Sequence, residues 1–178
     1  GGKTHSLFLK SDGSLHAMGD NEYGQLGDGT TTQRTSPVQA VSSDVTQISA
    51  GYQHSLFLKS DGSLHAMGRN NYGQLGDGTT SDKISPVQIV ASGVTQVAAA
   101  WDHSHFLKSN GSLWAMGWNG HGQLGDGTTT ERHTPVQVLS SGVADVSVGA
   151  HHTLIRMADG SLRTMGLNGS GQLGNGRS

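Results

Sequence analysis

Nearly the same sentence is written three and a half times along this chain of 178 residues. His5, His54, His103 and His152 recur at intervals of 49 residues. The same offset carries Asp12-Gly13 onto Asp61-Gly62, Asn110-Gly111 and Asp159-Gly160, and Gly24-Gln25-Leu26-Gly27 onto Gly73-Gln74-Leu75-Gly76, Gly122-Gln123-Leu124-Gly125 and Gly171-Gln172-Leu173-Gly174. Pro37, Pro86 and Pro135, all the prolines present, also obey it. A fixed period in this range defines a repeat architecture, in which each unit buries its apolar face against a neighbour. The units fall at about 1–49, 50–98, 99–147 and 148–178, the last incomplete, within one domain spanning 1–178.

Each unit reads as four short strands. Val45–Ala50 and its counterpart Val94–Ala99 form a first strand, A. His54–Lys59 alternates polar and apolar residues and forms B. Asp61-Gly62 predicts a type I′ hairpin, which needs two residues of positive φ. Ser63–Gly68 is C, and a glycine-rich connection leads to D, Ser85–Val90. A proline that recurs at the start of D places D on an exposed edge, because proline donates nothing to a ladder. The 28 glycines suit such tight turns. Four antiparallel strands every 49 residues make one blade, so the chain is an all-β β-propeller of about 3.5 blades.

The run Gly51-x-x-His54-Ser55-Leu56, Asp61-Gly62, Met67-Gly68-x-Asn70, Gly73-Gln74-Leu75-Gly76-Asp77-Gly78 resembles the regulator-of-chromosome-condensation (RCC1-like) repeat, and the resemblance covers the whole chain in register. It implies a seven-bladed ring, of which this chain supplies half. The Gly-Asp-Gly-Thr-Thr tail of the repeat resembles the bacterial branch, which implies a secreted or cell-surface setting. The family includes nucleotide-exchange factors for a small nuclear GTPase, bacterial β-lactamase inhibitors and a plant ultraviolet photoreceptor. Equal repeat lengths leave no place for the exchange factors' wedge, and three Trp are too few for the photoreceptor's cluster. The chain departs from the family at Met18, Met67, Met116 and Met165, where Trp is common. It departs again at Ala100 in place of glycine, and at His105 and Arg156, which fall on positions that face the core.

Composition removes several function classes. A formal charge of -2 provides no field for a phosphate backbone, so nucleic acid is not an expected partner. The absence of Cys excludes thiolate chemistry and Cys-based zinc sites. No apolar run reaches the ~18 residues of a membrane span. The four periodic histidines lie a blade apart, too far to share one ion; each reads as a scaffold residue bonded to backbone. His151-His152 point to opposite faces and make no metal pair. The glycine-rich stretch lacks the Lys-Ser/Thr ending of a phosphate-binding loop, and reads as a tight path against the next blade. Asp28, Asp77 and Asp126 lack calcium-loop spacing. No metal and no cofactor is expected. A catalytic group normally occurs once, whereas most polar residues here occur three or four times; the expectation is a non-catalytic protein. Asn110-Gly111-Ser112 and Asn168-Gly169-Ser170 match the glycosylation sequon within turns that the repeat already explains.

The functional signal lies where the copies differ. Before the repeated His stand Lys3-Thr4, Tyr52-Gln53, Trp101-Asp102 and Ala150-His151. After strand C stand Asp20, Arg69, Trp118 and Leu167, followed by Glu22-Tyr23, Asn71-Tyr72, Gly120-His121 and Gly169-Ser170. In an antiparallel blade the A–B and C–D connections share one end, so these clusters form one rim. Its expected partner-binding residues are Tyr23, Tyr52, Arg69, Tyr72, Trp101, Asp102, Trp118 and His121. Tyr, Trp and Arg are the types enriched at binding hot spots. The reading is a protein-interaction scaffold, with glycan binding as the alternative and exchange activity or catalysis behind both. Trp114 lies within a C strand, and its side is left open.

The strands count as B, C, D, two complete blades, then A, B, C: fourteen in all. Two copies hold the twenty-eight strands of a seven-bladed ring, so self-association is expected, the alternative being a piece of a longer chain with more repeats.

Overall fold

The computed structural model describes residues 1–177. They form fourteen strands in four antiparallel sheets, with no helix among the described residues. The first sheet holds β1 (His5–Leu9), β2 (Leu15–Gly19) and β3 (Arg34–Val41). The second holds β4 (Val45–Ala50), β5 (His54–Lys59), β6 (Leu64–Gly68) and β7 (Lys83–Val90). The third repeats that order in β8 (Val94–Ala99), β9 (His103–Lys108), β10 (Leu113–Gly117) and β11 (Arg132–Leu139). The fourth holds β12 (Val143–Val148), β13 (His152–Met157) and β14 (Leu162–Gly166). The sheets stack as blades: β4 meets β8 and β8 meets β12, so the A strands line the inner side and the D strands lie outermost.

Period-two alternation decides which neighbour each side chain meets. Leu56 and Leu58 of β5 point forward and pack with Val97, Phe106 and Met116 of the next blade. Phe57 points back, into a core with Leu15 and Val45. The third interface is built alike, from Leu107 and Leu113 against Val146 and Ile155. Burying each such side chain contributes roughly 1.5–3 kcal/mol, and nearly all of it is realised between blades rather than within one. Trp114 belongs to this scaffold. It stacks on Phe106 with centroids 6.2 Å apart, and its Nε1–H donates to Ser112 Oγ at 3.0 Å.

Strand D starts two residues earlier than the sequence suggests, which places proline inside the strand. The pairing of β6 with β7 shifts register between Ala66 and Gly68, which face Val87 and Lys83. Pro86 lies in that bulge, where the ladder is already interrupted and no donor is lost. The B–C turns also differ from expectation. Gly13, Gly62, Gly111 and Gly160 have positive φ, whereas the residues before them do not. Lys59 O accepts from Gly62 N at 2.9 Å and Lys59 N donates to Ser63 O at 3.1 Å, the pattern of a type I turn with a glycine bulge rather than a type I′ turn. Asp61 is used for its side chain: Oδ1 accepts from Ser63 N at 2.9 Å.

The glycine-rich connection is a knot tied by one asparagine. Asn70 Nδ2 donates to Asp77 Oδ1 at 2.9 Å and to Thr79 O at 3.0 Å, and its Oδ1 accepts from Leu75 N at 3.0 Å. Asp77 also takes Lys83 Nζ at 2.9 Å, as Asp28 takes Arg34 and Asp126 takes Arg132. These carboxylates are bound up in the loop that carries the rim. The loop then grips the next blade. Gly29 N donates to Ile84 O at 3.0 Å, and a Cβ on Gly27 would lie 2.3 Å from Met67 Sδ.

The periodic histidines join blade to blade, and their partner is a hydroxyl rather than backbone. His5 Nε2 meets Ser55 Oγ at 2.9 Å, His54 meets Ser104 at 2.9 Å, and His103 meets Thr153 Oγ1 at 3.4 Å. Each hydroxyl donates back to the preceding blade, at Gln25 O, Gln74 O and Gln123 O. His105 is fully buried, as its position requires. Arg156 is not: its side chain is 53% exposed and reaches Asp145 at 3.7 Å, because no described strand stacks on that face of the last blade.

Candidate functional site

The scaffold above holds two sets of loops at one end of each blade. Inner corners connect A to B, and outer connections run from C to D. Lys3, Tyr52 and Trp101 occupy one repeat position in successive blades, so they form an inner arc. Asp20, Arg69 and Trp118 occupy a second position, and Tyr23, Tyr72 and His121 a third; these form the outer arc. The first three corners are anchored beneath by the buried histidines that follow them, His5, His54 and His103.

The arcs meet in one connected network. Lys3 Nζ sits 4.3 Å from the Tyr52 ring centroid and bonds the Tyr52 hydroxyl. Tyr52 packs against Trp101 with centroids 5.1 Å apart. Trp101 meets the His151 ring edge-to-face at 4.9 Å, and His151 meets Trp118 at 5.1 Å. Trp118 touches His121 at 5.0 Å and Tyr72 at 6.4 Å. Trp118 lies over the backbone of Gly120, where a Cβ would come within 2.6 Å of the indole. A separate branch joins the first two blades: Arg69 stacks on Tyr23 at 5.1 Å and donates to Gln53 Oε1 at 2.8 Å.

Asp102 lies beside this aromatic network, its backbone carbonyl accepting from Trp118 N at 2.8 Å. Burial raises its carboxyl above the usual value, while Arg69 and His151 act in the opposite direction. Its side-chain hydrogen bond comes from Gln74 Nε2 at 3.5 Å, and no salt bridge reaches it among the described residues. Burial likewise holds His151 below the usual imidazole value, with His121 adding to the effect and Asp102 opposing it. Beside the inner arc a cavity of about 350 Å³ is floored by Ala50, Gly51, Ala99, Ala100 and Gly149 and walled by Lys3, Tyr52 and Trp101. Trp101 is 45% exposed, one of few large apolar side chains so placed.

All eight residues picked from the sequence therefore stand on this rim. Arg69 and Tyr23 pair with each other, and Tyr52, Tyr72, Trp101, Trp118 and His121 share the larger network. Asp102 lies beside that network. Three further participants, Lys3, Gln53 and His151, lie outside those eight, although each stands at one of the variable positions. His151 occupies the same variable column as Asp102 and Gln53, and that column was the available signal.

Four stacked antiparallel sheets with one variable rim define a partial β-propeller with a candidate binding face. The comparisons with known proteins name its family. Residues 1–178 match the RCC1-like domain, and the chain belongs to that family. Human WBSCR16 superposes with a TM-score of 0.82 and 27% identity, covering 93% of this chain and 45% of that one. Prp20p from Saccharomyces cerevisiae superposes with a TM-score of 0.86 and 22% identity, covering 99% of this chain and 46% of that one. The ultraviolet-B receptor UVR8 of Arabidopsis thaliana is 41% identical over 56 residues, which are 30% of this chain and 13% of the receptor. The chain thus spans less than half the length of each of these relatives.

Proposed function

We propose that this chain is a non-catalytic scaffold that binds a protein partner through the aromatic rim. The observation that carries the reading is the unbroken path Lys3–Tyr52–Trp101–His151–Trp118–His121, which runs across corners of four successive blades. Rigid loops on a stacked scaffold, presenting Trp, Tyr and Arg, are the physical form of a hot-spot surface. Prp20p, which shares the fold, was crystallised in work on its binding to Gsp1p and histones, and yeast RCC1 (Prp20) has been crystallised bound to Kap60. Those partners belong to Prp20p; the analogy supports a protein as the kind of ligand.

The test is capture of protein partners by the immobilised chain, with the same chain applied to a glycan array. Wild type retains a protein that Trp101→Ala/Trp118→Ala loses and that Lys10→Ala, on the opposite end, keeps. Retention by both variants contradicts the rim as the contact. Array binding that depends on Trp101 favours the glycan reading instead.

The terminal faces carry a second proposal, self-association. The last blade leaves Leu162 68% exposed and leaves β14 with one unpaired edge among the described residues. The equivalent residues Leu15, Leu64 and Leu113 are fully buried by a following blade.

A further inference from the structure

The aromatic rings of the rim are not equivalent. Two tyrosines carry resident cations: Lys3 over Tyr52 at 4.3 Å and Arg69 beside Tyr23 at 5.1 Å. The indoles of Trp101 and Trp118, whose faces attract cations more strongly than phenol rings do, carry none among the described residues. Their neighbours are the edges and faces of His151 and His121, and burial keeps the His151 imidazole below its usual value. Asp102 lies next to Trp101 in the chain, and its backbone carbonyl accepts from Trp118 N at 2.8 Å, so its carboxylate is held in the same corner. That carboxylate is half-buried yet has no salt bridge among the described residues. Arg69 acts on it electrostatically, but its guanidinium is engaged by Tyr23 and by Gln53 Oε1.

We propose that the Trp101–Trp118 corner is a receptor for an arginine side chain of the protein partner, with the guanidinium stacked on indole and paired with Asp102. This deepens the rim reading and rests on it. A planar guanidinium fits because it stacks on aromatic faces and offers two parallel donors to a carboxylate, while losing less hydration than an ammonium. Binding it relieves the half-buried charge of Asp102, whose side-chain hydrogen bond among the described residues is the long one from Gln74 at 3.5 Å. The rim supplies orientation through Tyr72, which tilts onto Trp118, and through Tyr52, which tilts onto Trp101.

The chain carries its own control. Its three tryptophans are Trp101, Trp114 and Trp118, and Trp114 is locked on Phe106 between blades. The experiment follows the three indole N–H resonances by NMR while N-acetyl-arginine amide is added to the whole chain, with the neutral N-acetyl-citrulline amide as comparison. Trp101 and Trp118 shift saturably with the arginine probe, Trp114 does not, and citrulline moves none of them. Asp102→Asn weakens the titration about tenfold, the loss expected for one charge-assisted pair, with the Trp114 resonance unchanged as evidence of folding. Equal shifts with citrulline, or no shift of Trp101 and Trp118, overturn the proposal. A protein partner lost by Trp101→Ala but held as tightly by Asp102→Asn overturns this inference and leaves the rim reading standing. A partner indifferent to both substitutions overturns the rim reading itself.

Discussion

His54 Nε2 lies 2.9 Å from Ser104 Oγ, across the interface between two blades. Ser104 spends its only proton on Gln74 O, also at 2.9 Å. The imidazole is therefore the donor in its bond to Ser104. Nε2 carries the proton and Nδ1, buried with no partner among the described residues, does not. The neutral ring is required for this arrangement, and the same holds for His5 and Ser55.

Acid should take the blades apart. Burial lowers His5 from 6.5 to about 4, with the N-terminal amine adding to the effect. Burial lowers His54 to about 3 and His105 to about 4, and pushes His103 well down. Between these values and 6.5 the unfolded chain binds more protons than the folded one, so stability falls as pH falls. It is fully present above about pH 6.5 and is lost by roughly 1–2 kcal/mol per histidine by about pH 5. Urea unfolding at pH 7.5 and pH 5 checks this; equal midpoints contradict it.

Removing the hydroxyl partner isolates the cost of one rung. Ser104→Ala strands the Nε2–H of His54 and the carbonyl of Gln74, both buried. The expected loss is about 1–3 kcal/mol. Ser6→Ala, on a half-buried residue outside any described rung, is expected to cost less than about 0.5 kcal/mol.

The glycines of the rim loop rank by what lies above them. Gly27, Gly76 and Gly127 all have positive φ, so alanine is strained at each by about 1–2 kcal/mol. At Gly27 a Cβ meets Met67 Sδ at 2.3 Å, at Gly76 it meets Met116 Sδ at 3.1 Å, and at Gly127 it meets nothing within 4 Å. Gly27→Ala should be the most destabilising, with overpacking adding roughly 1–3 kcal/mol, and Gly127→Ala the least. Thermal melts of the three variants test the order.

Self-association predicts a mass near twice 18.5 kDa by light scattering over a dilution series. Leu162→Glu, which places a charge on the exposed face of the last blade, should return the chain to a monomer. A wild-type monomer at all concentrations contradicts the proposal.

The 49-residue period made the strands legible, because alternation within His54–Lys59 and the glycine punctuation are local properties. The same period exposed the rim, since a residue that differs where its copies agree stands out. Relationships between blades were harder to see. Ser55 follows His54 directly in the chain, yet it bonds His5 of the preceding blade, and no spacing rule announces that. Asp61 looked like a residue of positive φ until its side chain was seen to cap Ser63. His151 stood among the variable pairs but outside the expected contact residues, beside the periodic His152. The adjacent pair drew attention to metal binding, while the ring lies between two indoles of another blade.

The most direct test of the central claim is the affinity of the captured protein partner for wild type and for Trp101→Ala/Trp118→Ala, measured by calorimetry beside each variant's unfolding midpoint. Binding through the rim predicts a loss of at least about thirtyfold, as for hot-spot aromatics, with little change in stability. Affinity within about twofold of wild type, in a variant that is still folded, would contradict it.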